Sequence, residues 1–255
     1  MKTLIVQGIC KDNISSWEWE TLWVPCMKSV RSWADRSGFD YKLYTERLDD
    51  TFDVDAWFPE ANLQQYENVF YKFQWMRDCS RPYSPYDYVF WLDSDILVWG
   101  NPSLPEEQDL FFMHVNDIMN KWAKPNMSIF GGRTFNVRQY VDWADDVFHY
   151  NCPEPALITC FKELCKVQLI PYVTEEYFST AYTEEHAVRL FDYRDCTFAQ
   201  DWNLQRTLGS WGKDMFYHLN GDNKVAKFQR IMAYIMYVKT QNTNTLFKHI
   251  GKILE

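Results

Sequence analysis

The residues best placed to do chemistry are two aspartates one residue apart, Asp93-Ser94-Asp95, and a distant histidine, His218. The aspartates follow Tyr88-Val89-Phe90-Trp91-Leu92, an apolar and aromatic run that predicts a strand buried on both faces, as in the middle of a parallel sheet. Side chains alternate along an extended chain, so Asp93 and Asp95 are expected on one face and Ser94 on the other. In open α/β sheets ligands collect at the carboxyl ends of the strands, where this pair falls. Two carboxylates so close repel each other unless a cation lies between them or one holds a proton, and a divalent metal is the economical explanation. An Asp-rich turn that merely ends the strand is the alternative.

The downstream segment His218-Leu219-Asn220-Gly221-Asp222-Asn223-Lys224 supplies what such a site needs. His218 offers an imidazole to a metal that already has two carboxylates, Gly221 lets the backbone approach a diphosphate, and Lys224 brings a point charge to a phosphate. A mixed nitrogen and oxygen set suits manganese better than magnesium, which prefers oxygen and keeps several waters. Asn220-Gly221 could instead close a β-hairpin. However, the residues after Lys224 have helical periodicity and do not read as a returning strand.

The elements that must hold these residues read as alternating strands and helices. A strand from Thr3 to Gly8 leads into a loop, Ser15-Ser16 as a helix cap, and an apolar stripe of Leu22, Trp23, Cys26, Met27, Val30, Trp33 and Ala34 on a helix over 17–37 that Gly38 ends. Tyr41 to Tyr44 is a second strand, so the opening is a βαβ unit with parallel pairing. A helix over 61–77 turns Val69, Phe70, Phe73 and Met76 inward and Lys72 toward the strand ends. Leu110 to His114 and Met127 to Phe130, the latter running into Gly131-Gly132, are further strands. Helices follow over 137–150, 155–166 and 184–191, then a strand from Met215 to His218, then helices from Val225 onward and over 246–254.

Composition narrows the function classes. A chain of 255 residues suits one α/β domain, and 47% hydrophobic with 24% charged residues excludes a disordered chain. The net charge of −9 disfavours nucleic acid as a partner. The 12 Trp, 16 Tyr and 18 Phe are expected mainly in the core, with Trp57, Trp122 and Trp211 as loop aromatics for acceptor stacking or a dimer surface. Seven cysteines without Cys-x-x-Cys spacing read as reduced, buried thiols. The first apolar run is too short for a secretory leader and none approaches a membrane span, so a cytoplasmic protein is expected. Lys248 and Lys252 on the last helix leave peripheral membrane contact open, although packing on the domain is the expected use.

Tyr71-Lys72-Phe73, the stretch Tyr86 to Val98, Asp201-Trp202-Asn203 and His218-x-x-Gly221-x-x-Lys224, in this order, resemble the signatures of the glycogenin and LgtC-like group of retaining, nucleotide-sugar-dependent glycosyltransferases, family 8. The resemblance covers residues 1 to about 228, and its specific motifs are those around Asp93 and His218. It implies an α/β fold of the GT-A type, a Rossmann-like single domain with a mixed central sheet flanked by helices. Residues 1–100 would form the nucleotide-binding half ending in Asp-x-Asp, 101–224 the acceptor and donor-sugar half, and 225–255 C-terminal helices.

It further implies Asp95 and His218 as direct metal ligands and Asp93 as a catalytic residue bridging metal and donor. Gly221, Lys224 and Lys72 would contact diphosphate or sugar, and the first strand with Gly8 and its loop would hold the base. The implied cofactors are Mn2+ or Mg2+ and a nucleoside-diphosphate-sugar, UDP-linked first and GDP-linked second. The implied acceptor is a glycan, glycolipid or protein, and the activity is of the hexosyltransferase type. Ile129-Phe130-Gly131-Gly132 resembles the small-residue strand lining the donor sugar in retaining GT-A enzymes, the blood-group transferases included. Thr183-Glu184-Glu185-His186 resembles the acidic segment beneath the sugar, with Glu185 near the anomeric carbon. Asn203 joins the substrate-binding set. The pair Glu184-Glu185 is also what a helix N-terminus favours by itself.

The sequence departs from the family at Val225-Ala226, where Pro-Trp often follows, and at Glu185, where Gln is usual. The rival readings are an Asp-x-Asp phosphohydrolase, a sugar nucleotidyltransferase and a non-catalytic carbohydrate- or nucleotide-sugar-binding module. Ile96-Leu97-Val98 fits the first poorly, Gln7-Gly8-Ile9-Cys10-Lys11 lacks the glycine-rich loop of the second, and the third has no use for a diphosphate clamp.

Overall fold

A computed structural model of the chain describes residues 1–11, 14–46, 48, 67–104, 109–116, 123–149, 182, 186, 189–192, 198–200, 215–219 and 223–240. Strand β1 (Thr3–Gly8) is followed by a helical stretch capped by Ser15, whose hydroxyl accepts from the Glu18 amide at 3.2 Å. The chain then makes a π-helical turn (Trp19–Trp23), which the 3.6-residue periodicity does not anticipate, before α1 (Val24–Ser37). Gly38 adopts φ 74° and ends α1, and the amides of Gly38 and Phe39 close onto Asp35 and Ala34. Leu22, Cys26, Met27, Val30, Trp33 and Ala34 are buried as expected, and Trp23 is half-buried.

Next come β2 (Asp40–Tyr44), α2 (Glu67–Cys79), β3 (Tyr88–Leu92), β4 (Ile96–Trp99), β5 (Leu110–Asn116), β6 (Ala123–Arg133) and α3 (Thr134–His149). The described residues finish with β7 (Arg189–Asp192), β8 (Phe198–Gln200), β9 (Met215–His218) and α4 (Lys224–Thr240). Among these, one sheet has the order β2-β1-β3-β6-β5-β7 and a second the order β4-β9-β8. β1 lies parallel to β2 and β3, which confirms the opening βαβ unit.

Two expectations need correction. β3 does not sit inside a parallel sheet: it pairs parallel with β1 and antiparallel with β6, and burial on both faces comes from helices on each side of a mixed sheet. Residues 189–191, expected in a helix, belong to β7, which runs parallel to β5. A short segment with only two apolar residues is as compatible with one period as the other, and the open edge of β5 decides it. The strand expected to run into Gly131 and Gly132 does so, since β6 passes through both. The helices expected over 155–166 and 246–254, the tryptophans 57, 122 and 211, and four of the seven cysteines lie outside the described residues.

Alternation along β1 and β3 divides the core. Leu4, Val6, Val89 and Trp91 face α2 and α3 with Phe73, Trp75, Met76 and Tyr140. Ile5, Phe90 and Leu92 face the other way, onto Val30 and Trp33 of α1, and that cluster continues into Ile96, Val98 and Phe216 of the second sheet. A third cluster, Leu22, Cys26, Leu97, Tyr217, Leu219, Phe228 and Ile231, packs α4 behind β4 and β9. Among the described residues the aromatics are largely core, with Trp33, Trp75 and Trp91 fully buried, and Cys10, Cys26 and Cys79 are buried thiols. Among the described residues no helix is long and apolar enough to cross a membrane.

Candidate metal centre

β3 hands the chain to the second sheet through Asp93-Ser94-Asp95, and this step assembles the site. The Asp93 amide still bonds to Ser128 of β6 at 2.8 Å, but its carbonyl then accepts the Ile96 amide at 3.1 Å, so 93–95 is a turn and not extended chain. The two carboxylates still converge, and Ser94 still points away, donating to the Gly8 carbonyl at 3.0 Å. Turn geometry, not strand alternation, is the cause. Leaving the turn, β4 pairs antiparallel with β9 in a register that sets Ile96 opposite His218, and the Leu219 amide bonds to the Asp95 carbonyl at 3.2 Å.

That register brings the imidazole to the carboxylates. His218 Nε2 lies 3.4 Å from Asp95 Oδ1 and 3.6 Å from Asp93 Oδ2. One donor atom from each of the three residues falls within 4.8 Å of the others, with Asp95 and His218 buried and Asp93 half-buried. Two carboxylate oxygens and an imidazole nitrogen are a donor set for a divalent first-row cation, and the spacing fits one.

The charge of the two carboxylates is met here by two lysines. Lys224, the first residue of α4, places Nζ 2.5 Å from Asp95 Oδ2 and 5.3 Å from the Trp23 ring centroid. Lys72 of α2, 3% exposed, places Nζ 2.9 Å from Asp93 Oδ1, 3.4 Å from the Met127 carbonyl and 5.5 Å from the Trp91 ring centroid. Burial pushes the Asp95 carboxyl up, but the Lys224 ammonium and His218 outweigh it and hold the group well below the usual carboxylate range. Burial pushes the Cys26 thiol up, with the Asp95 charge adding to the effect.

Three contributors had no place in the motif reading. Trp91 Nε1 donates to Asp93 Oδ1 at 2.7 Å. Gln7 Nε2 donates to the Asp93 carbonyl at 2.9 Å, and Ser94 ties the turn to β1. Trp91 was within reach of sequence reasoning, since it precedes Asp93 by two residues and so shares its face of the strand.

The expected glycines acquire reasons of their own. A Cβ on Gly8 would lie 2.2 Å from the Trp75 ring. A Cβ on Gly131 would lie 2.4 Å from the Val89 carbonyl, and one on Gly132 2.4 Å from the Asp109 carbonyl, so close strand pairing demands both glycines. Gly221, Glu184, Glu185 and Asn203 lie outside the described residues. Of their neighbours, Tyr182 is buried against α3, its ring 4.9 Å from Tyr140 and 5.1 Å from Trp143, and it stacks on the exposed His186 at 4.0 Å.

No protein-family model and no curated protein matches this sequence. Among solved structures, the chain is similar to a glycosyltransferase involved in the glycosylation of the major capsid of PBCV-1, with a TM-score of 0.58 and 8% identity over 91% of this chain and 99% of that one. At that identity the likeness concerns the fold: a mixed central sheet flanked by helices, of the GT-A type.

Proposed function

We propose that this chain is a metal-dependent glycosyltransferase of a single domain, allied to family 8, that moves a hexosyl group from a nucleoside-diphosphate-sugar to a hydroxyl of a glycan, glycolipid or protein with retention of configuration. The observation that carries the proposal is the convergence of Asp93, Asp95 and His218 at the carboxyl end of β3, on a fold similar to that of a glycosyltransferase. Ligands of open α/β sheets gather at that end of the strands.

Asp93, Asp95 and His218 would hold Mn2+ or Mg2+, which when bound supplies positive charge opposite the departing diphosphate. Lys224 adds to that charge. Its side chain is 32% exposed and sits on the first turn of a helix, so its ammonium can leave Asp95 for a phosphate oxygen. Lys72 is too buried to follow and keeps Asp93 oriented. Asp93, the most accessible of the three, would contact the donor as well as the cation. In this reading Gly8 and the end of β1 hold the nucleoside, UDP-linked before GDP-linked. Gly131, Gly132, Glu184 and Asn203 line the substrate, Gly221 approaches the diphosphate, and Glu185 faces the anomeric carbon, where a carboxylate stabilises the oxocarbenium-like centre.

The test is thermal stability against a panel of nucleoside diphosphates and nucleotide sugars, with Mn2+, Mg2+ or chelator, on the wild type and on Asp95→Ala. A ligand that binds only the folded state raises the melting temperature by mass action. One nucleotide series should stabilise the wild type only with metal, and Asp95→Ala should abolish the effect. If no nucleotide stabilises the protein with any metal, the proposal fails.

A further inference from the structure

Asp93 is held more tightly than a metal ligand requires, and in a lopsided way. Its amide is bonded to Ser128, and its carbonyl accepts from both Ile96 and Gln7. The Gln7 amide is itself fixed, because its Oε1 accepts from Tyr41 Oη at 2.9 Å. At the carboxylate, Oδ1 receives two donors, Trp91 Nε1 at 2.7 Å and Lys72 Nζ at 2.9 Å, whereas Oδ2 faces His218. Two donors use both lone-pair directions of Oδ1, so one oxygen of Asp93 is engaged inside the protein and the other is presented to the site.

The indole cannot turn away. Trp91 is 1% exposed and stacks on Trp75 at 5.9 Å and 12°, and Trp75 stacks on Tyr44 at 5.7 Å and 12°. Packing therefore fixes the plane of Trp91, and its N–H can only donate. We propose that Trp91 is a positioning residue that restricts Asp93 to binding a cation through Oδ2 alone, and so selects small octahedral cations against calcium. This rests on the metal site proposed above. Calcium takes six to eight oxygens and readily chelates a carboxylate through both of them, whereas magnesium-sized ions favour octahedral geometry with single-oxygen contacts. A carboxylate with one oxygen already occupied penalises the first kind of ion and not the second.

The experiment removes the N–H and reads the choice of metal. Two variants serve: Trp91→Phe, and a chain with β-(3-benzothienyl)alanine at position 91, which replaces the indole N–H by sulfur and keeps the ring shape and stack. Mn2+ binding is followed by electron paramagnetic resonance of the free ion, and Ca2+ is titrated as competitor, with near-ultraviolet circular dichroism to establish the fold. In both variants the affinity for Ca2+ relative to Mn2+ should rise about tenfold, the lower end of what loss of a hydrogen bond to a metal ligand does to affinity. A purely structural role would weaken both ions together and leave the ratio unchanged, and that result in the benzothienyl variant overturns the proposal while sparing the metal site. A wild type that binds no Mn2+ overturns the metal site and this inference with it.

Discussion

Asp95 is a buried anion with two cationic or potentially cationic neighbours, and its pH behaviour follows from which neighbour dominates. Burial alone would raise its affinity for a proton, yet Lys224 and His218 reverse that and depress it below the ordinary value of 3.8. A carboxyl whose folded-state pKa is depressed contributes stability that is present above its unfolded pKa and is lost as pH falls through the folded value. Without metal, the Asp95 contribution should therefore persist to below pH 3.8 in the wild type. In Lys224→Met, burial faces only His218, the carboxyl moves up, and acid destabilisation begins at a higher pH. Urea midpoints from pH 7 down to pH 2 would compare the two. Superimposable acid limbs would mean that Lys224 does not set the ionisation of Asp95.

At the scale of elements, β6 is the tightest fit. It lies between β3 and β5, with Gly131 opposite Phe90 and Phe111 and Gly132 opposite Val89 and Leu110. Both glycines have backbone angles rare for other residues, φ 156° and 151°. Gly131→Ala should cost about 2–6 kcal/mol, since a side chain in such a conformation and overpacking each cost roughly 1–3 kcal/mol. Chemical denaturation would measure it, and the loss should be the same with and without Mn2+, because the clash is with strand backbone and not with the metal site. A loss below about 1 kcal/mol would show that β3 and β5 can yield.

This strand also marks how far the sequence can be read. The apolar run and turn residues at Tyr88–Leu92, and the 3.6-residue stripe ending at Gly38, are local patterns, and the structure agrees with them. The convergence of Asp93, Asp95 and His218 was legible because each residue type has a task in one chemistry. What was not legible depends on partners. The antiparallel pairing of β3 with β6, the strand β7, and the Gln7 bond to Asp93 exist only once distant segments meet.

At the scale of the whole molecule, the site lies where the two sheets join. Asp93 follows the last residue of β3, Asp95 precedes β4, and His218 ends β9, so the donors come from both sheets across one turn. The sheets also share a core, with Ile5 and Phe90 of one packed in the same cluster as Ile96, Val98 and Phe216 of the other. A cation held by this triad would therefore oppose global unfolding and not merely the loosening of one loop. With Mn2+ at a hundred times its dissociation constant, mass action gives about 2.7 kcal/mol. For a chain of this size that corresponds to a rise in melting temperature of roughly 5–10 °C. His218→Ala removes the ligand contributed by the second sheet and should lose most of that increment, while its metal-free melting temperature sets the separate cost of the cavity. Hydrogen exchange would locate the effect: Mn2+ should slow exchange across β3, β4 and β9 together in the wild type and leave His218→Ala unchanged. Slowing confined to the turn 93–95 would mean that the cation closes a loop without joining the sheets.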